Sequence, residues 1–316
     1  MKRVKINDIF SDSKSFKDKE ILVCGWIKSI RDMKEFAFAT INDGSCFGDL
    51  QIVLGSNDLK NFDEATHAGN GSAIYAKGKL TLTPDAPQPF ELKASEFVIE
   101  GPSGEDYPLQ KKRASVEFLR TIQHLRPRTN MFRAIFRIRS VAAYSIHKFF
   151  QDRGFVYVHT PIITASDCEG AGEMFKVDSP GKKDFFGADA ALTVSGQLQA
   201  ENFAMAFGDV YTFGPTFRAE DSNTPRHAAE FWMIEPEIAF ADLEDDMQLA
   251  EDMLKFVISD VMDKCPDELA MLNNFVEKGL IQKLENVSDA KFVRCTYTDA
   301  IDILEKSGEK FEYPVK

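Results

Sequence analysis

The 316-residue sequence lacks any long apolar run, and this bears on where the protein works. No stretch approaches the roughly 18 uninterrupted apolar residues that a membrane helix needs. The opening residues MKRVKINDIF also lack the apolar segment of a signal peptide. We therefore expect neither a membrane protein nor a secreted one, and predict a cytoplasmic location.

Cysteine is scarce and scattered along the chain. No two cysteines form the C-x-x-C pair typical of zinc sites and thioredoxin-like redox motifs, and the odd set of five is Cys24, Cys46, Cys168, Cys265 and Cys295. We interpret them as separate thiols in a reducing cytosol.

Two glycine-rich nucleotide-binding loops are absent as well. The sequence contains no G-x-x-x-x-G-K-[ST] loop and no strand-borne G-x-G-x-x-G. A nucleotide must then be held without the usual helix N-terminus cradle, so arginine side chains become the candidates for phosphate binding.

Acidic residues outnumber basic residues, and the formal net charge is −12. This charge argues against wrapping nucleic acid with the whole surface, because phosphate contacts need clustered lysine and arginine. One segment departs from the average, since Glu117 is the single acid among nine basic residues between Lys111 and Arg139. On charge alone, this basic stripe is either a polyanion-binding face or a solvated linker.

The first hundred residues follow a pattern of short strands separated by turn signals. The predicted strands are 21–30, 36–42, 47–54, 72–82 and 90–99, separated by Asp43-Gly44, Gly69-Asn70-Gly71 and the prolines Pro84, Pro87 and Pro89. Five strands at this spacing predict a closed Greek-key barrel over residues 1–104, which is an all-β OB-fold suited to oligonucleotides.

After a predicted hinge over residues 105–130, the pattern changes to mixed helices and strands. Apolar residues at helical spacing predict one long helix from about Met131 to Phe150, with Gly154 as its stop. Strands are predicted at 156–160, 191–194, 210–217 and 231–239, and Asp242 is expected to cap a helix through Lys264. Because regular βαβ alternation is missing, residues 131–316 are predicted to form an antiparallel α+β domain.

The densest group of chemically useful side chains spans Phe217 to Phe231. Two apolar strand ends bracket a polar loop that contains Arg218, Arg226 and His227. Such a hairpin can set a guanidinium against a phosphate and a phenyl ring under a planar base. A surface hairpin laced with salt bridges has the same spacing, so both interpretations stay open at this point.

Several ordered motifs resemble those of the class II aminoacyl-tRNA synthetases. Residues 154–161 after the long helix resemble motif 1, which lies at the dimer interface, and residues 217–231 resemble motif 2. With a barrel placed first, the chain resembles subclass IIb, which contains the aspartyl, asparaginyl and lysyl enzymes. Residues 192–199 and 230–237 are similar to the asparaginyl group. The resemblance implies a homodimeric asparagine–tRNA ligase that uses ATP and Mg²⁺ and charges tRNA(Asn).

The resemblance also implies an ATP site in motif 2. Arg218 would bind the α-phosphate and stabilise the charge that develops as the amino-acid carboxylate attacks. Glu220 would contact adenine, Phe231 would stack on it, and Arg226 and His227 would lie near the β- and γ-phosphates of a bent ATP. No protein nucleophile is needed, because the substrate carboxylate attacks and pyrophosphate leaves.

For the amino acid, the resemblance implies that Glu169 holds the α-ammonium group, helped by Ser195 and Gln197. Where the aspartyl enzymes have a lysine that pairs with the substrate side chain, this sequence has Ala200.

A carboxamide substrate needs a hydrogen-bond acceptor for its NH₂ group. Glu235 or Glu201 can supply it, and one well-placed carboxylate favours asparagine over aspartate by roughly tenfold to a hundredfold.

In the barrel, Arg31, Phe38 and Gln51 fall where the subclass keeps its anticodon contacts. A stacking ring with an arginine and an amide at base edges is the expected mode of single-stranded RNA recognition. The alternative for Phe38 is a core position, because a Phe-Ala-Phe strand must bury one face and Phe36 shares its face.

Motif 3 of the family, with its ATP-clamping arginine and its Mg²⁺ carboxylates, is not found in the sequence. We therefore expect a chain truncated before motif 3, with no metal site of its own, that binds tRNA weakly and is inactive alone as a ligase. Two alternatives stay open: an aspartate-activating or asparagine-synthesising relative, and a tRNA-binding paralogue with a non-catalytic class II domain.

Overall fold

The structure is a computed structural model that describes residues 1–110, 114–168, 170, 173–181, 185–222, 224, 226–311, 313 and 315. The chain divides into two compact units. Unit 1 comprises Met1–Arg139 and Cys265–Leu280, and unit 2 comprises Ser140–Lys264 and Ile281–Lys316. The domain boundaries after residues 104 and 130 stay predictions.

Unit 1 is built on a closed five-stranded barrel, as predicted. Its strands are β1 (Glu20–Asp32), β2 (Phe36–Asn42), β3 (Leu50–Gly55), β4 (Ala73–Leu82) and β5 (Phe90–Gly101), in the order β1-β2-β3-β5-β4. The β3–β5 pair is parallel and the other pairs are antiparallel. β3 begins three residues later than predicted, because the Asn42 amide donates to the Gly48 carbonyl (2.7 Å) and to Asp49 Oδ1 (2.9 Å) and so holds the preceding turn.

The barrel buries the small residues of β2 and turns its phenyl rings outward. Ala37, Ala39 and Ile41 are fully buried, whereas Phe36 is exposed and Phe38 is partly exposed. The two rings meet edge to face, with centroids 5.3 Å apart. The alternative that Phe38 belongs to the barrel core is therefore wrong, because the buried face of this strand is the alanine face.

Short helices complete unit 1. They are α1 (Ile6–Ser11), α2 (Ser13–Phe16), α3 (Phe62–Thr66), α4 (Val116–Thr121), a 3₁₀ turn (Arg126–Arg128), α8 (Pro266–Phe275) and the start of α5 (Asn130–Gln151). Ile6 and Ile9 of α1 are fully buried in the barrel core. Arg137 of α5 donates from Nε to the buried carboxylate of Glu268 (2.6 Å), which fixes α8 to α5.

Unit 2 is an α+β arrangement, as predicted. β9 (Asp209–Phe217) and β10 (Glu230–Ile238) are antiparallel, and β6 (Val156–Tyr157) pairs with β9 in parallel. β7 (Ile163–Thr164) and β8 (Ala191–Leu192) form a second small sheet. The other helices are α6 (Gln197–Phe207), α7 (Leu243–Lys264), α9 (Leu280–Asp289) and α10 (Tyr297–Lys306).

One face of the β9–β10 pair carries the aromatic core of unit 2. Phe150 stacks on Tyr211 at 4.6 Å, and Phe213 and Ile234 belong to the same cluster. Asp242 caps α7, since its Oδ1 accepts from the N–H groups of residues 244 (2.9 Å) and 245 (3.1 Å). Within the described ranges, no helix is long and apolar enough to cross a membrane.

Candidate functional sites

The register of β9 and β10 gathers polar residues on the face opposite the aromatic core. Thr212 lies directly opposite Glu235, and Thr216 lies opposite Phe231. Since side chains alternate along a strand, these four residues share one face of the pair. Phe231 precedes Glu235 by four residues, about 13 Å along the strand at about 3.3 Å per residue. The face therefore has two separate ends, an aromatic one and a carboxylate one.

Glu235 is held at the centre of a hydrogen-bonded network. Its Oε1 accepts from the Ser195 hydroxyl, and its Oε2 accepts from the Gly196 N–H (3.2 Å) and the Thr212 hydroxyl (3.0 Å). Ser195 and Thr212 are each only 2% exposed. A carboxylate offers about four acceptor positions, so roughly one position on Glu235 remains for a ligand.

Gly196 is required for this close approach. A Cβ atom on residue 196 would lie 2.7 Å from Thr160 Oγ1 and 3.1 Å from Thr212 Oγ1. Any larger residue would therefore force the Thr160 side chain or the Ser195–Gly196 turn to shift.

The first turn of α6 extends the network towards solvent. The Gln197 N–H donates to Ser195 Oγ (3.1 Å), and its side-chain amide donates to Glu201 Oε1 (2.9 Å). Gln197 and Glu201 are exposed. Four residues that the sequence singled out thus form one chain of hydrogen bonds: Glu201, Gln197, Ser195 and Glu235.

Glu237 adds negative potential at the same end of the face. Its pKa is raised, first by burial and then by the neighbouring carboxylates of Glu201, Glu235 and Asp246. Sequence reasoning missed both Glu237 and Thr212. Alternation along β10 is the signal that identifies Glu237, because it follows Glu235 by two residues.

Arg218 and Phe231 lie together at the other end of the face. The guanidinium carbon of Arg218 is 5.5 Å from the Phe231 ring centroid. The Arg218 N–H donates to the Ala229 carbonyl (3.1 Å), which continues the ladder one residue beyond β9. The backbone therefore sets this arginine beside the ring.

The remaining motif 2 candidates lie on the connection between β9 and β10. Glu220, Arg226 and His227 are all exposed, and the His227 ring contacts the Thr224 hydroxyl. Glu169 lies outside the described residues. In the part of the chain that the structure describes, no group of three His, Cys, Asp or Glu side chains is placed to hold a metal ion.

A small cavity of about 80 Å³ opens beside the carboxylate end. Its lining includes Thr160, Gly196, Thr212, Trp232 and Glu235. This volume suits a small polar group, because a single water needs about 10–15 Å³ on the same measure.

The outer face of the barrel forms a second candidate site. Strand pairing places Arg31, Phe38, Val53 and Lys93 in one row across four strands. Arg31 and Lys93 are exposed, and among the described residues neither has an ion-pair partner. Arg31 and Phe38 therefore share one face with Lys93, a cation that sequence reasoning missed. Gln51 precedes Val53 by two residues on β3, so it lies on the same face.

Gln51 lies in the neighbouring row, which runs Ser29, Thr40, Gln51 and Glu91. Its amide donates to Glu91 Oε1 at 2.6 Å. Glu91, a second residue that sequence reasoning missed, thus orients the amide on this face.

Several arginines of the basic stripe (residues 111–139) form contacts within unit 1. Arg133 pairs with Asp49 (3.2 Å), Arg137 with Glu268, and the Arg126 guanidinium lies 4.8 Å from the Phe132 ring centroid. Its exposed arginines are Arg120, Arg128 and Arg139, and Lys111, Lys112 and Arg113 lie outside the described residues. Part of the stripe is therefore structural rather than free for a polyanion.

Comparison with known proteins gives two family matches. The family described as tRNA synthetases class II (D, K and N) matches residues 115–316. The OB-fold nucleic acid binding domain matches residues 21–100. The two matches cover the sheet and barrel faces described above.

Comparison with curated proteins gives more specific relatives, which are asparagine–tRNA ligases. The asparagine–tRNA ligase of Acetivibrio thermocellus is 57% identical over 100% of this chain and 71% of its own length. That of Clostridium tetani is 56% identical with the same coverage of both chains.

Solved structures agree in fold. Asparaginyl-tRNA synthetase from Pyrococcus horikoshii, complexed with asparaginyl-adenylate, matches with a TM-score of 0.86 at 26% identity, over 99% of this chain and 69% of that one. The Entamoeba histolytica enzyme matches with a TM-score of 0.80 at 22% identity, over 100% and 70%. The chain therefore belongs to the class II tRNA synthetases of the D, K and N group, and within it to the asparagine–tRNA ligases.

Proposed function

We propose that the β9–β10 face of this asparagine–tRNA ligase binds ATP and asparagine and joins them as asparaginyl-adenylate. The observation that carries the proposal is the pairing of Arg218 and Phe231 with the Glu235 network on one face of the same two strands. The aromatic end suits adenine and phosphate, and the carboxylate end suits a carboxamide.

The proposed chemistry needs positioned charge rather than a protein nucleophile. The asparagine α-carboxylate attacks the α-phosphorus of ATP, the bond to the β-phosphate oxygen breaks, and pyrophosphate leaves. Arg218 stabilises the negative charge that grows on the α-phosphate, and the Phe231 ring stacks under adenine. Transfer to the terminal hydroxyl of tRNA(Asn) then releases AMP.

Glu235 is the proposed acceptor for the substrate NH₂ group. Its other acceptor positions are filled by Ser195, Gly196 and Thr212, so the carboxylate is held in place before the substrate arrives. Glu201 is exposed and accepts from Gln197, which suits it less to a buried amide. An aspartate side chain would meet the negative potential of Glu235 and Glu237 instead.

The other proposed roles rest on the family resemblance. Glu169 would hold the α-ammonium group with help from Ser195 and Gln197. Glu220 would contact adenine, and Arg226 and His227 would approach the β- and γ-phosphates. Glu220, Arg226 and His227 are exposed on the connection between β9 and β10, where they are accessible to a bound nucleotide.

In this proposal, Mg²⁺ enters the site only as the ion bound to the phosphates of ATP. When bound, Mg²⁺ would offset the charge of the phosphate oxygens, as is usual for nucleotide substrates. The described residues offer no cluster of three carboxylate, imidazole or thiolate ligands, so we assign it no ligands in this part of the chain.

We further propose that the barrel face reads the anticodon of tRNA(Asn). Phe38 would stack on the central uridine, while Arg31 and Gln51 would meet base edges. All three lie on one outward face, and Phe38 is free of the core.

Two proposals concern assembly and location. Motif 1 would form a homodimer interface, since Val156 and Tyr157 remain 39% and 38% exposed beside Pro161. A cytoplasmic location agrees with five cysteines that are all free thiols.

The test is calorimetric titration with asparaginyl-sulfamoyl-adenosine, a stable analogue of the adenylate. Saturable binding that is weakened by Phe231→Leu is expected. A tRNA-binding protein with a non-catalytic domain would bind tRNA but not this analogue, and that outcome would overturn the proposal. A parallel assay of asparagine-dependent pyrophosphate exchange checks the separate prediction that the 316 residues alone are inactive.

A further inference from the structure

Unit 1 contains a large cavity that the proposed reaction does not use. Its volume is about 1180 Å³, slightly above the range of about 300–1,000 Å³ that is usual for small-molecule pockets. Its walls come from β1, the segment before α4, the start of α5, and α8. None of Arg31, Phe38 and Gln51 lines it.

Most of the wall is apolar and rich in flat or adaptable side chains. It includes Trp26, Tyr107, Met131, Met271 and Phe275. Trp26 is 49% exposed and Phe275 is 71% exposed, so both rings are open to a ligand. Aromatic and thioether surfaces of this kind favour a planar apolar body.

Among the described residues that line the cavity, the charged ones are all of one sign. They are Lys28, Arg128 and Arg133, and no aspartate or glutamate is among the described lining residues. Arg133 is neutralised by Asp49 at 3.2 Å. Arg128 donates to the Tyr107 hydroxyl (3.2 Å), which leaves its charge without a carboxylate among the described residues.

Lys28 is partly buried. Its Nζ donates to the Arg128 carbonyl (2.9 Å) and to Asn130 Oδ1 (3.3 Å), so one of three donors remains. Burial lowers the pKa of Lys28, the charge of Arg133 lowers it further, and the more weakly acting charge of Asp49 raises it. An anion beside Lys28 would oppose both lowering effects.

We propose that this cavity binds a small aromatic monoanion, with its ring against Trp26 and Phe275 and its anionic group at Lys28 and Arg128. The apolar wall accounts for the aromatic body. Lys28 and Arg128, neither of which forms a hydrogen-bonded ion pair with a carboxylate among the described residues, account for the charge. An RNA strand would find three cations among the described lining residues and a largely apolar wall.

The test compares two dyes of similar shape in a Trp232→Phe background, where Trp26 is the remaining tryptophan. The dyes are anilinonaphthalene sulfonate, a monoanion, and N-phenyl-1-naphthylamine, which is uncharged. Saturable energy transfer from Trp26 to the sulfonate is expected. Lys28→Met should weaken sulfonate binding by about tenfold or more and leave the uncharged dye unchanged, because a charge-assisted hydrogen bond is lost.

Lys28→Arg should retain sulfonate binding, and Arg128→Gln provides a second variant in case Lys28→Met perturbs folding. Equal weakening of both dyes, or no transfer from Trp26, would overturn the proposal. Displacement of the sulfonate by a single-stranded RNA oligomer, in a manner that needs Lys28, would assign the cavity to RNA and overturn it as well.

Discussion

The barrel face and the β9–β10 face both position their side chains through strand register, but the side chains on the two faces differ in burial. In both, strand register brings distant residues onto one surface. On the barrel, Arg31 and Phe38 remain open to solvent, whereas Ser195 and Thr212 around Glu235 are buried and bonded to it. If the proposals above hold, the face that would receive bases is left free, while the face that would select a small amide is fixed in advance. Mutations should therefore affect binding alone on the barrel and folding as well at Glu235.

The largest effect is expected for Glu235→Ala. The change leaves the Ser195 hydroxyl, the Gly196 N–H and the Thr212 hydroxyl without their acceptor. Each buried unsatisfied group costs about 1–3 kcal/mol, so the free energy of unfolding should fall by about 3 kcal/mol or more. Urea denaturation measures it, with exposed Glu230→Ala on the same strand as the control. A loss as small as that of the control would contradict the buried network.

Arg218→Ala should weaken binding of asparaginyl-sulfamoyl-adenosine while changing the unfolding free energy less than Glu235→Ala does. A hydrogen bond to a charged group contributes about 1.5–3 kcal/mol, which is roughly tenfold to a hundredfold in the dissociation constant. Arg218→Lys should give an intermediate loss, because the charge remains but the planar fork does not. Undiminished affinity in Arg218→Ala would remove this residue from the phosphate site.

Phe38→Ala should weaken binding of an anticodon stem-loop without lowering stability appreciably. Base stacking contributes about 1–3 kcal/mol per base, and the Phe38 ring faces outward. Val53→Ala, directly opposite on β3, is the matched control and should have the smaller effect on binding. Fluorescence anisotropy measures the affinity. Equal losses in the two variants would mean that the ring does not stack on a base.

Lys93→Ala tests the cation at the end of the row that contains Phe38, and it should have a smaller effect on binding than Phe38→Ala. Loss of one phosphate contact reduces the slope of log affinity against log salt by roughly 0.7 for single-stranded RNA. The same titration, repeated at several salt concentrations, measures the slope. A slope equal to that of the unaltered protein would place Lys93 away from the RNA backbone.

A separate prediction concerns an ion cluster in unit 2 that neither face uses. Hydrogen bonds from Lys255 (2.7 Å) and Arg294 (2.8 Å) lower the pKa of Glu251 to about 2. Because the folded pKa lies below the model-peptide value, this stabilisation is present above about pH 4.5 and is lost as the pH falls towards 2. The difference in urea midpoint between the protein and Glu251→Gln should therefore shrink over that interval. A difference in urea midpoint that stays constant with pH would contradict the lowered pKa of Glu251.

Strand positions were predictable where turns and alternation agree. Asp43-Gly44 and Gly69-Asn70-Gly71 delimit the barrel strands, and β2 was predicted with its observed ends. The direction of Phe38 was not predictable, because both faces of a Phe-Ala-Phe strand are apolar. Side-chain size decides it, since the alanine side fits the closed interior.

The partners of the candidate site were less accessible to sequence reasoning. Thr212 meets Glu235 only through cross-strand register, which a single sequence does not encode locally. α6 was missed because its polar start, Gln197, Gln199 and Glu201, hides the helical spacing of a short helix. The loop residues Arg226 and His227 were identified by residue type, and their phosphate contacts stay predictions.

The central claim, that Glu235 selects the carboxamide, is tested most directly by the ratio of two dissociation constants. Calorimetry on this chain would compare asparaginyl-sulfamoyl-adenosine with its aspartyl counterpart, in the unaltered protein and in Glu235→Gln. We predict that the asparaginyl analogue binds more tightly by roughly tenfold to a hundredfold, and that Glu235→Gln removes most of this preference. Equal affinities, a preference for the aspartyl analogue, or a preference unchanged by Glu235→Gln would contradict the account.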